Sequence, residues 1–192
     1  MSLVGFKGDN HPQQVGERGA RDSVDDRATS PEVFGPLHSR WRFTLDAAAS
    51  ADNAKLPCYV TPEMDGLVWP WAGERVWCNP PYSDVRPWLE KAWAEDDAEL
   101  VVMILPANRT EQAWWQDLVE PFRDREGSPL SAEFIRGRIR FIGPGKDEIG
   151  PNERPPFGCV LLIWDRAKCP PPYASRPDLR RTRQSLLDLE AS

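Results

Sequence analysis

Asn79-Pro80-Pro81-Tyr82 brings together two hydrogen-bond acceptors, a rigid backbone and an aromatic face. The Asn79 side-chain oxygen and the Pro80 carbonyl can both accept hydrogens from one planar NH2 group. Neither proline has an N–H of its own, and their fixed φ holds the turn stiff. Tyr82 then offers a ring against which a flat base can stack. The turn follows the apolar run Arg75-Val76-Trp77-Cys78 and precedes a segment with helical spacing. Such a turn at a strand end suits the capture of an exocyclic amino group and its attack on a methyl donor.

Other chemistries find less support. The four cysteines (Cys58, Cys78, Cys159, Cys169) are far apart and form no C-x-x-C pair. With His11 and His38 as the only histidines, no metal site can be assembled on spacing grounds. No apolar run approaches the roughly 20 residues that span a bilayer, so a cytoplasmic protein without membrane contact is expected. Net charge is −6, which does not by itself attract nucleic acid. Distribution matters more: Arg136, Arg138 and Arg140 cluster around Gly137, and six further cations lie between Arg166 and Arg183. These could follow phosphates or simply be solvated.

The elements that must position the turn can be read from periodicity. Residues 1–28 are polar and glycine-containing, as expected for a flexible tail. Ser30-Pro31-Glu32 reads as a helix start, with Ser30 at the N-cap and Phe34, Leu37 and Trp41 on one face. A short strand over residues 42–46 ends in Asp46 and leads into the small-residue loop Ala47-Ala48-Ala49-Ser50. Residues 56–60 read as a second strand, Asp65-Gly66 as a turn, and residues 74–78 as the strand that delivers Asn79. Ser83 or Asp84 is expected to cap a helix in which Val85, Trp88, Leu89, Ala92 and Trp93 form the apolar face. Residues 100–105 have the continuous apolar character of a buried strand, and Thr110 opens a helix carrying Trp114, Trp115 and Leu118. Strands over 132–135 and 138–142, a loop over 143–156 and a final strand over 158–164 complete the pattern, with a Pro-rich and basic tail from 168 to 192. This order predicts one α/β domain over residues 29–167, with a mostly parallel, helix-flanked sheet and an antiparallel strand late in the chain. In open sheets of this kind ligands bind at the carboxyl ends of strands. Asp46, Asp65 and Asn79 all fall at or just beyond such ends.

The ordered series of pieces resembles the small phage-type DNA N-6-adenine methyltransferases, a branch of the S-adenosylmethionine-dependent methyltransferases. It comprises Ser30-Pro31 with Phe34, residues 43–49, Asn53-Ala54-Lys55, Asp65-Gly66-Leu67, Trp77-x-Asn79-Pro80-Pro81-Tyr82, Lys91-Ala92, residues 103–106, residues 137–141 and Pro156-Phe157. The resemblance implies a Rossmann-like class I methyltransferase fold and methyl transfer from S-adenosyl-L-methionine to adenine N6 in DNA. The target base would be extruded from a duplex. It assigns catalysis to Asn79, Pro80, Pro81 and Tyr82. Ser30, Pro31, Asp46, Ala47, Ala48, Asp65 and Asn79 would hold the cofactor. Tyr82, Arg138, Arg140 and Phe157 would meet the substrate. The chain departs from the usual pattern in placing alanine and serine after Asp46, where methyltransferases commonly use glycine.

An Asn-Pro-Pro-Tyr turn also fits RNA bases, cytosine N4 or a protein glutamine amide, since each presents the same planar NH2. A non-catalytic DNA-binding relative of the same fold is the alternative from a different class.

Overall fold

The structure is a computed structural model and describes residues 28–143 and 157–179. The expected N-terminal tail, most of the loop expected over 143–156 and the end of the basic tail lie outside these residues. In chain order the elements are β1 (Ala28–Thr29), α1 (Pro31–Trp41), β2 (Leu45–Asp46), β3 (Arg75–Cys78), α2 (Arg86–Ala94), β4 (Leu100–Pro106), α3 (Ala113–Leu118), β5 (Leu130–Phe134), β6 (Phe141–Ile142) and β7 (Cys159–Asp165).

The five-stranded sheet has the order β2-β3-β4-β7-β5. β2, β3 and β4 run parallel, β7 is antiparallel to β4, and β5 is antiparallel to β7. Four strands therefore share one direction and β7 alone is reversed, which makes an α/β fold on a mixed sheet. The carboxyl ends of β2, β3, β4 and β5 meet the amino end of β7 at one edge, as the pairs Pro106↔Cys159 and Phe134↔Val160 show.

Period-two alternation splits the core into two faces. Val101, Met103 and Leu105 of β4 join Val76 and Cys78 of β3 and Val160, Leu162 and Trp164 of β7 beneath α2 and α3. Leu100, Val102 and Ile104 join Trp77, Leu161 and Ile163 beneath α1. All seven residues of β4 are buried because strands flank it and helices cover both faces. Each aliphatic side chain so buried contributes about 1.5–3 kcal/mol.

Several boundaries differ from those expected. The strand before Asp46 shrinks to Leu45–Asp46, because Arg42 takes a left-handed conformation (φ 52°) to end α1. Residues 56–60 contribute one bridge, Tyr59 beside Asp46, and no full strand. Val85, and not Ser83 or Asp84, is the N-cap of α2, with no side-chain cap. Gln112 is the N-cap of α3, two residues past Thr110. The expected 138–142 strand is only Phe141–Ile142. It leaves the main sheet to pair with Ala28–Thr29, so residue 28 belongs to a small ribbon. Past Lys168, Tyr173 is buried and Arg176 bonds Asp96 and the Trp93 carbonyl, so residues of the Pro-rich segment pack onto the end of α2.

Candidate active site

The β2–β3 pairing sets Asp46 beside Trp77, two residues before Asn79. The Ala47 N–H donates to the Trp77 carbonyl at 2.9 Å, which ties the Asp46 loop to the approach of the Asn-Pro-Pro turn. On the other side, Asp46 is held by two backbone bonds, its N–H to Cys58 O (3.0 Å) and its carbonyl to Val60 N–H (2.9 Å). The acid is thus wedged between two chain segments and is 2% exposed.

Burial raises the Asp46 carboxyl to about 6, against an ordinary 3.8, while the N–H groups of Lys55 and Ala48 and the Lys55 charge oppose that rise. Oδ2 accepts from the Lys55 N–H at 2.9 Å; Oδ1 is buried with no hydrogen-bond partner among the described residues. Burial lowers the pKa of Lys55, with Asp46 pulling it back up. A buried acid without its full complement of donors is costly unless a ligand supplies them.

Two cavities open here. The larger, about 520 Å3, is lined by Ala47, Ala48, Ala49, Ser50, Asn53, Val60, Thr61, Pro62, Asp65, Gly66, Asn79, Pro81 and Trp88. The smaller, about 20 Å3, is bordered by Ala28, Thr29, Asp46, Ala48, Asn53, Lys55, Trp77 and Asn79. Ala48, Asn53 and Asn79 border both. The expectation that Asp46, Asp65 and Asn79 surround one cleft therefore takes a two-chambered form, with Asn79 at the junction.

The larger cavity is also shaped by Asp65-Gly66. Asp65 has φ 58°, and its Oδ1 accepts the Leu67 N–H at 2.9 Å, closing a tight turn. A Cβ on Gly66 would lie 2.2 Å from the Ala47 carbonyl oxygen and 2.7 Å from the Trp88 ring. Only glycine lets this turn press so closely on the Asp46 loop.

The loop after Asp46 has little backbone to offer a ligand. The N–H groups of Ala47, Ala49 and Ser50 donate to Trp77 O, Val60 O and Asn53 Oδ1. Those of Asn53, Ala54 and Lys55 donate to Ser50 O, Ser50 O and Asp46 Oδ2.

Pro80 is buried, Pro81 lines the larger cavity, and Tyr82 turns inward. The Tyr82 ring meets Phe141 and Phe157 edge-on, with centroids 6.2 and 6.3 Å away, and so joins an aromatic corner bordering neither cavity. Burial pushes its hydroxyl well above the ordinary tyrosine range. Phe157 thus stands beside Tyr82. Arg138 is exposed and Arg140 half-buried at the same sheet edge, beyond a turn at Gly137 (φ 81°). Ser30 is buried at the start of α1 and Pro31 is exposed; neither lines a cavity, and the preceding Thr29 does so instead.

The sequence missed Thr29, Asn53, Lys55 and Trp88 as site residues. Asn53 and Lys55 lay in a segment with a recognisable pattern but no chemical signature, and Trp88 had the spacing of a core residue.

A sequence profile of the DNA N-6-adenine-methyltransferase (Dam) family matches residues 18–186. The chain belongs to this family. Within the Dam family it is 32% identical over 183 positions to a DNA N-6-adenine-methyltransferase of Escherichia phage T1, covering 85% of this chain and 68% of that one. It is 30% identical over 77 residues to a DNA N-6-adenine-methyltransferase of Haemophilus phage HP1, covering 40% of this chain and 44% of that relative, so this match spans less than half of the relative's length. A Pyrococcus horikoshii structure described as a proposed RNA methyltransferase aligns with 57% of this chain and 50% of its own at 15% identity and a TM-score of 0.33. The Dam profile extends on both sides of the 29–167 span expected for the domain.

Proposed function

We propose that this protein transfers a methyl group from S-adenosylmethionine to the N6 amino group of adenine in DNA, on a Rossmann-like class I domain. The observation that carries the proposal is the position of Asn79 at the junction of two cavities whose other walls hold Asp46 and Asp65. Membership of the Dam family supports adenine as the target.

The residues fit the cofactor. The larger cavity has the volume of a small-molecule site, and its partly apolar wall of Val60, Pro62 and Trp88 suits an adenosine. Asp65 keeps Oδ2 for ribose or adenine once Oδ1 has closed its turn. Asp46 offers a carboxylate to a cationic group. When bound, S-adenosylmethionine supplies an electrophilic methyl group on a sulfonium.

The protein's own contribution is placement and polarisation. Adenine N6 is a weak nucleophile because its lone pair is delocalised into the ring. Acceptance of its two hydrogens by Asn79 Oδ1 and the Pro80 carbonyl directs that pair out of the ring and offsets positive charge developing on nitrogen. The rigid Pro-Pro backbone fixes the approach, and a large part of such acceleration comes from orientation alone. N6 is hidden in a duplex, so the base must leave the stack. Tyr82, which packs edge-on against Phe141 and Phe157 outside both cavities, would receive the extruded base at that corner. Arg138, exposed, and Arg140, half-buried, would serve as phosphate contacts.

The test is methyl transfer from labelled S-adenosylmethionine to an adenine-containing duplex, with the product base identified by chromatography. N6-methyladenine is expected, with turnover in Asn79→Ala reduced by about 10²–10³. Label appearing only in cytosine, RNA or protein overturns the choice of substrate. Near-native turnover in Asn79→Ala overturns the role of the turn.

A further inference from the structure

We infer that the smaller cavity is a receptor for the amino-acid end of the methyl donor, in which Lys55 and Thr29 take the carboxylate and Asp46 takes the ammonium group. The inference rests on the cofactor assignment above and adds to it a cation in the place where backbone amides are missing.

Methyl donors of this kind carry a zwitterion, and both of its charges must be met when it leaves water. Glycine-rich loops commonly receive anionic groups with free backbone N–H groups. The part of the loop after Asp46 that lines the cavities has few N–H groups left for this. The N–H groups of Ala47, Ala49, Ser50, Asn53, Ala54 and Lys55 are all engaged within the protein, and Ala48 N–H favours the Asp46 carboxylate. Ala51 and Asp52 are exposed and border neither cavity, so a carboxylate entering the smaller one is met chiefly by side chains.

Three side chains are ready. Thr29 is 1% exposed, and its Oγ1 has no hydrogen-bond partner among the described residues. Asp46 Oδ1 is in the same state. Lys55 borders the same cavity, and its Nζ makes no ion pair within 4.0 Å among the described residues. An acid and an amine that share a cavity without closing on each other leave room for a ligand bearing both charges in the opposite sense.

The two chambers then divide the donor. The amino-acid end would enter the polar chamber and the adenosine the larger one, with Asn79 bordering both. The smaller cavity as it stands holds about one water, so Lys55 must swing aside as the ligand enters. Its four-carbon stem permits that at little cost.

Isothermal titration with three probes tests the inference: S-adenosylhomocysteine, decarboxylated S-adenosylmethionine and methylthioadenosine. Lys55→Gln is expected to weaken S-adenosylhomocysteine by about tenfold or more, since a charge-assisted contact is lost. Its affinity for the two probes without a carboxylate should be unchanged, which also shows that the variant is folded. Lys55→Arg should restore much of the loss, and Thr29→Val should weaken S-adenosylhomocysteine by a smaller factor. Unchanged S-adenosylhomocysteine affinity in Lys55→Gln, or equal losses for all three probes, overturns the role of Lys55 while leaving the cofactor assignment intact. Failure of the unaltered protein to bind S-adenosylhomocysteine overturns both.

Discussion

The two edges of the one sheet treat charge in opposite ways. At the edge where β3 and β4 begin, charged groups meet partners from the protein. Arg75 donates to the Trp41 carbonyl at 2.7 Å and pairs with Glu99 at 3.5 Å. Arg176 pairs with Asp96 at 3.1 Å. Arg166, only 6% exposed, donates to the Ala92 and Glu95 carbonyls at the end of α2, and Tyr173 lies across the guanidinium at 5.4 Å. Nε and Nη1 of Arg166 lack partners among the described residues, and neither of the two cavities borders them. At the edge where those strands end, Asp46 and Thr29 also carry unmet buried atoms, but they face open space lined by other polar groups. An unmet atom sealed into a wall records a packing compromise. An unmet atom lining a cavity is placed to meet a ligand.

That contrast can be broken from the ligand edge. Gly66→Ala is expected to have the largest effect, since its Cβ must displace the Ala47 carbonyl, a backbone atom tied into the site. Such overpacking costs about 1–3 kcal/mol and occasionally more. Thermal unfolding should drop accordingly, and the displaced Asp46 loop should lose S-adenosylhomocysteine affinity. Native stability and affinity together would show that the two loops do not press on one another.

Asp46→Asn sharpens the comparison because stability and function should move in opposite directions. With its pKa raised from 3.8 to about 6, folded Asp46 holds its proton more tightly than the unfolded chain does. Its contribution to stability is therefore greatest below pH 4 and falls as pH rises to about 6. Above that, the ionised carboxylate costs on the order of 3 kcal/mol, because each tenfold gain in proton affinity on folding is worth about 1.4 kcal/mol. Asparagine keeps an acceptor for the Lys55 N–H and removes the charge. The unliganded variant should be more stable at pH 8 by up to that amount, should lose this slope between pH 4 and 6, and should bind S-adenosylhomocysteine more weakly. Denaturant unfolding across pH, paired with titration, checks both. Lower stability at pH 8 would show that the buried charge is already well compensated.

Arg166→Met at the opposite edge should give the smallest change. It leaves the Ala92 and Glu95 carbonyls without this donor while preserving the apolar stem, and it also removes the two unmet nitrogens, so the net loss is about 1 kcal/mol. Cofactor affinity should stay as it was. A coupled loss of affinity would mean that the two edges are not independent.

Much of this was legible from residue order. The Asn79 turn, the buried strand before Pro106 and the strand ending near Trp164 are signalled by fixed-φ prolines and unbroken apolar runs, which fix local conformation with little tertiary help. Trp88 was legible as helical but not as a site residue. Spacing puts it on the apolar face, yet its first-turn position meets Gly66 beyond the end of the sheet. The ribbon of Ala28–Thr29 with Phe141–Ile142 could not be read, because two-residue strands carry no periodicity and their partners lie more than a hundred residues apart.

Sequence by itself therefore determined the chemistry of the turn, the α/β class and the Dam-family resemblance, each carried by local geometry or by ordered motifs. Tertiary structure decided what surrounds Asn79. Only folding brings Thr29, Asp46 and Lys55 to one cavity, engages most of the loop's N–H groups elsewhere, and turns Tyr82 into the corner made by Phe141 and Phe157. The physical reason is that burial and unmet hydrogen bonds are properties of space between segments. Any one segment read alone is bathed in water and has no unmet groups to show.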